Sequence, residues 1–125
     1  MYLGIEGAGT TEMAQRVHVY RNYFSDQSFS GANAGEPIRL GVSPRALSSA
    51  HAVVEFNLFE RANGDPEAIS VKSSDNTIRY NTIRNSLAEL CCAMATEIGS
   101  MVITFSMGQT VSVFTAMTMR WWTTM

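Results

Sequence analysis

One asparagine, repeated, limits what this chain can fold into more than any other feature. Three stretches align on it: "VYRNYF" at 19–24, "VEFNLF" at 54–59 and "IRYNTI" at 78–83. Each carries a β-branched residue, two intervening positions, the asparagine, one variable residue and a large apolar residue. The asparagines are Asn22, Asn57 and Asn81. A second motif follows the first two copies, "EPIRLG" at 36–41 and "EAISVK" at 67–72. Its alternation places Ile38 with Leu40, and Ile69 with Val71, on one side of a short strand. Gly, Ser, Pro and Asn fill the intervals, and helical periodicity is poor. Short strands recurring every 24 to 35 residues predict a solenoid. The expected fold is all-β: about three coils of a right-handed parallel β-helix over 1–90. An asparagine at the same bend of every coil would form a column of amide hydrogen bonds that satisfies buried polar groups.

Composition narrows the function classes. Net charge is −2 and the isoelectric point about 5.6, so nothing basic argues for nucleic acid. No run of 18 apolar residues predicts a membrane span, and no secretory leader pattern is visible at the N-terminus. Cys91 and Cys92 are adjacent, a spacing that suits neither a disulfide framework nor a metal site.

The chain's single lysine sits in "DPEAISVKSSDN", residues 65–76, just after two carboxylates. Asp65 and Glu67 are two apart, so an extended strand puts them on one face. Lys72 is five from Glu67, which strict alternation sends to the opposite face. The three groups converge only if a corner or bulge lies between Glu67 and Ile69. On these residues alone a solvated turn is the simpler account of the acid pair.

The stretch "VVEFNLFERANGDPEAISVKSSDNTIRYNTIRNS" resembles polysaccharide lyase family six, which holds alginate lyases and chondroitinase B on a right-handed parallel β-helix. The likeness runs from about Val17 to Leu90 and is densest over 53–86; "GEPIRLG" fits the preceding coil. The resemblance implies β-elimination on an anionic uronic-acid polysaccharide, alginate first among the candidates. It implies a calcium ion held by Asp65, Glu67 and Asn33, with Lys72 as base and an assisting arginine. The family often has glutamate where Asp65 stands. The chemistry suits these types. The proton to be removed lies next to a carboxylate and is a very weak acid, so a cation there stabilises the developing charge. Positive charge nearby also favours the uncharged amine that can act as a base. Hard carboxylate oxygens suit calcium. The resemblance further implies a parent protein secreted outside the cell or to the periplasm.

Arg39 and Arg79 are candidates for binding an acidic sugar, although solvated arginines are the default; Arg84 is a weaker one. His18 and His51 fit surface or core positions better than ligand roles.

Residues 91–125 break the pattern. They hold two of the 20 charged residues, Glu97 and Arg120, none of the seven asparagines, and six of the eight methionines. Back-translation shifted by one base forces glycine from Met94–Ala95, Met101–Val102 and Met107–Gly108, aspartate from Met117–Thr118, and valine from Trp121–Trp122. With free bases chosen to suit, the string reads "LRHGNGNRxxGNYFFNGADxxxxYGNDHxVVDN", which resembles the next part of the same lyase family. A one-base deletion near codons 90–91 therefore accounts for the tail, including its paired cysteines and tryptophans. The arginine and histidine of the restored string fall at codons 93 and 94, where Ala93 and Met94 now stand. The expectation is an inactive lyase fragment with an irregular or adventitiously helical tail. Two alternatives stand: a non-catalytic carbohydrate-binding β-helix that does not need Lys72, and a genuine tail that meets a membrane or a partner.

Overall fold

The computed structural model describes residues 3–29, 34–91, 101–104 and 111–112. Short strands follow one another around a parallel β-helix. The first coil holds β1 (Leu3–Ile5), β2 (His18–Tyr20) and β3 (Tyr23–Ser25). The second holds β4 (Ile38–Leu40), β5 (Val53–Glu55) and β6 (Leu58–Glu60). The third holds β7 (Glu67–Val71), β8 (Asn76–Arg79) and β9 (Thr82–Arg84). The chain then continues through β10 (Glu89–Cys91), β11 (Met101–Thr104) and β12 (Val111–Ser112). Equivalent strands stack into three parallel sheets: β1-β4-β7-β10-β12, β2-β5-β8-β11 and β3-β6-β9. Of the tail, the described pieces are thus strands added to the first two sheets. The rest of 92–125 lies outside the described residues.

The inward alternation read from the sequence builds the core. Ile38 pairs with Ile69 and Leu40 with Val71, and all four are buried. Val19, Val54 and Ile78 form a second buried column, in register across β2, β5 and β8. Phe24 and Phe59 stack in the third, ring centroids 4.9 Å apart and nearly parallel. Each such side chain contributes about 1.5–3 kcal/mol by leaving water.

Between the second and third sheets runs the asparagine column. Asn22 donates its backbone N–H and its Nδ2 to Asn57 Oδ1, both at 3.0 Å. Asn57 repeats the pattern onto Asn81 Oδ1, at 3.0 and 2.9 Å. Asn57 and Asn81 also donate Nδ2 to the carbonyls of Val19 and Val54.

Each coil turns at three left-handed residues without a glycine among them. They are Arg16, Arg21 and Asp26, then His51, Phe56 and Arg61, then Asp75, Tyr80 and Asn85, with φ between 49° and 58°. Such a residue costs on the order of 1 kcal/mol or more. The amide column offsets that cost at the middle corner, where Arg21, Phe56 and Tyr80 directly precede the asparagines.

Candidate functional site

Strand β7 opens on Glu67, with Asp65 two residues before it and Lys72 just past its end. Asp65 Oδ1 accepts the N–H of Glu67 at 3.1 Å, an Asx turn across Pro66 that fixes how the chain enters the strand. Both carboxylates are half-buried, and among the described residues neither forms an ion pair.

The register of β7 shifts where alternation requires it to. Glu89 pairs with Glu67, but the next residue of β10, Leu90, pairs with Ile69. Ala68 is therefore the extra residue of a β-bulge, and it is fully buried. The bulge changes the face count by one, so Glu67 and Lys72 leave the strand on the same side while Ile69 and Val71 stay in the core. Ser70 shares that outer side, yet it is fully buried, and among the described residues its hydroxyl finds no partner.

Lys72 is half-buried. Its N–H donates to Leu40 O at 2.8 Å. A polar turn follows. The Ser73 hydroxyl donates to Leu40 O, the Ser74 hydroxyl to Ala46 O, and Asn76 Nδ2 to both the carbonyl and the hydroxyl of Ser73. Ser73, Ser74 and Asn76 are each about 1% exposed, so the end of β7 is held by satisfied buried groups.

Among the described residues no three His, Cys, Asp or Glu side chains gather to hold a metal ion. Asp65 and Glu67 supply two hard oxygen ligands of the kind calcium takes, with Asp65 Oδ2 clear of the Asx turn. In that chemistry they fit. Asn33, the expected third donor, lies outside the described residues.

The two arginines expected to face substrate are engaged with glutamates. Arg39 lies on β4 beside Ser70, with Nη2 at 3.5 Å from Glu6 and Nη1 at 3.7 Å from Glu36. Arg79 lies on β8, in the second sheet, with Nε at 2.6 Å from Glu55 Oε2 and its guanidinium over the Tyr80 ring. The hydrogen bond from Arg79, with a second from His18, holds the Glu55 carboxyl below the usual range. A parallel cluster decorates the third sheet. The Tyr23 hydroxyl donates to Glu60 at 2.5 Å, and Arg61 and Arg84 flank the same carboxylate. Glu60 is held low, first by Tyr23 and then by the arginines. His51 is an exposed left-handed corner residue.

Glu36 escaped the sequence reading. It is 1% exposed, with one carboxylate oxygen unpartnered among the described residues, and it opens β4's motif as Glu67 opens β7's. The alignment of "EPIRLG" with "EAISVK" carried that signal.

A family model for chondroitinase B matches residues 3–103. The chain belongs to the chondroitinase B family. Membership makes it a relative of a polysaccharide lyase, and the match covers all three coils and runs past Leu90. No curated protein and no solved structure matches the chain. Among the described residues no helix is long and apolar enough to cross a membrane. In this chondroitinase B relative Asp65 and Lys72 flank β7, which carries Glu67 and the buried bulge residue Ala68.

Proposed function

We propose that this chain is a fragment of a calcium-dependent polysaccharide lyase that cleaves a uronic-acid polymer, alginate first, by β-elimination. The observation that carries the reading is the bulge at Ala68, which returns Glu67 and Lys72 to one side of β7. Asp65, Glu67 and Asn33 would hold the ion. When bound, calcium supplies positive charge against the carboxylate of the sugar. Lys72, as the free amine, takes the proton from the carbon next to that carboxylate. The electron pair forms the ring double bond and breaks the bond to the glycosidic oxygen, which leaves and takes a proton from water. The Ser73–Asn76 turn keeps the amine in place while this happens. Arg39 serves as an outer contact for acidic sugars only where substrate replaces Glu6 or Glu36 as its partner, and Arg79 only where it replaces Glu55.

The chain as it stands is inactive on this reading, because the assisting arginine is missing. Cys91 pairs with Ser70, so an arginine at codon 93 of a frame-restored chain would extend that register to Lys72. On this account 91–125 is a frameshift product, and the intact parent is secreted or periplasmic. The test compares the chain with its frame-restored parent on alginate and on a dermatan-type polymer, following ultraviolet absorbance of the unsaturated product. The parent should form it in a calcium-dependent way and the chain should not. A parent that binds polymer and never forms the product would sink the lyase reading. A second reading, a carbohydrate-binding module without catalysis, draws support from the engagement of both Arg39 and Arg79 with glutamates. It predicts that Lys72→Ala leaves sugar binding unchanged.

A further inference from the structure

Lys72 is the chain's single lysine, and its backbone rests on the coil before it. Leu40 O receives both the Lys72 N–H, at 2.8 Å, and the Ser73 hydroxyl, at 3.2 Å. Asn76 ties the following turn to the second coil, since its Oδ1 accepts the Ala52 N–H at 3.1 Å. The neighbour of Leu40 is Gly41, which has a φ of 84°. A Cβ at position 41 would stand 2.6 Å from the Lys72 carbonyl oxygen, 3.3 Å from its carbon and 3.0 Å from Met13 Sδ. The methionine tail can move aside. A backbone carbonyl held from both ends cannot move without carrying Lys72 with it.

Gly9 gives the contrast. Its φ is 59°, also left-handed, but among the described residues a Cβ there meets nothing within 4 Å. Both glycines have positive φ, and they differ in what they touch.

We propose that Gly41 is a positioning residue for Lys72. Its bare Cα is the seat on which the Lys72 peptide lies, and that seat sets the direction in which the amine leaves the coil. The seat belongs to the fold; its use in proton abstraction rests on the lyase reading above. A side chain at 41 would lift the Lys72 carbonyl and turn the amine further into solvent.

The single lysine makes the test direct. The chain and its Gly41→Ala and Gly9→Ala variants are treated with an amine acylating reagent over a pH series. Acylation of Lys72 is followed by mass spectrometry, with the N-terminal amine as internal reference. Circular dichroism reports whether each variant keeps its β structure. Both substitutions introduce left-handed strain, but only one meets Lys72. Gly41→Ala should label Lys72 faster by about threefold or more at each pH of the series, because the amine is more accessible, while Gly9→Ala labels like the parent. A folded Gly41→Ala chain with an unchanged or slower rate overturns the proposal. If Gly41→Ala does not fold, Ser73→Ala decides. It removes one of the two bonds to Leu40 O, and the hydroxyl that accepts from Asn76 Nδ2, without touching the left-handed glycine, and an unchanged rate there overturns the proposal equally. Faster labelling alongside a frame-restored parent that lacks lyase activity would remove the lyase reading and leave the seat standing.

Discussion

Replacing Asn57 with alanine tests the amide column at its centre. Asn57 is 1% exposed. Its Oδ1 accepts two bonds from Asn22, and its Nδ2 donates to Val19 O and to Asn81 Oδ1. After truncation Asn81 Oδ1 keeps the Asn57 backbone N–H at 3.0 Å. The Val19 carbonyl loses this donor, and the Asn22 N–H loses its acceptor. Each abandoned buried group costs about 1–3 kcal/mol. Asn22 is itself exposed and can turn partly to water, which holds the sum near 3 kcal/mol. Asn22→Ala is the matched control. It removes an exposed amide, leaves its own N–H on Asn57 Oδ1, and should cost about 1 kcal/mol. The difference of about 2 kcal/mol is roughly a thirtyfold change in the folding equilibrium. Urea denaturation followed by circular dichroism measures both variants. If the two fall within about 0.5 kcal/mol of each other, the column does not hold the coils in register and the reasoning fails.

Acid should loosen the outer faces. Asp26, Glu55 and Glu60 all have carboxyls lowered by hydrogen bonds and ion pairs, led by Arg61, Arg79 and Tyr23 respectively. Lowered folded values mean that their stabilisation is fully present above the unfolded carboxylate range and is lost as pH falls through the folded values. Denaturation midpoints should therefore drop below about pH 4, and Glu55→Gln with Glu60→Gln should flatten that dependence. Arg45→Ala should free the segment at 6–12. The buried guanidinium donates to the carbonyls of Ala8, Gly9 and Glu12; these residues are exposed and can turn to water, so the loss should be about 1–2 kcal/mol; amide exchange should rise first at 6–12. Terbium luminescence, used as a calcium probe, should rise on titration and vanish in Asp65→Asn with Glu67→Gln. A signal that survives both substitutions would place the ion elsewhere.

The coil architecture was legible because a buried amide must be satisfied. A stack of coils lets each amide satisfy the next, with Asn57 and Asn81 buried and Asn22 at the exposed end, so the three asparagines announced both the coils and their register. The bulge was legible through parity, since Glu67 and Lys72 could share a face only if one residue between them went uncounted. The left-handed corners were not legible. Arg21, Phe56 and Tyr80 are poor candidates for positive φ, and only the asparagine after each fixes that geometry. The partners of Arg39, Arg45 and Arg79 were hidden for another reason. Each meets a residue 24 or more positions away on a neighbouring coil.

The corners hold a further consequence. Within every coil they fall five residues apart, whatever the length of the coil. From Asp26 the chain takes 25 residues to reach the next first corner, His51, whereas from Arg61 it takes 14 to reach Asp75. All the difference in length is therefore taken up on the side of the first sheet, in the loops around β4 and β7. The other two sheets act as a spine of fixed count, and lengthening or trimming a loop beside the acid pair or Lys72 leaves their register alone. A lineage of such proteins could reshape its working face by insertion and deletion without renegotiating its core. An engineer could graft a segment at the exposed Leu47 on the same terms.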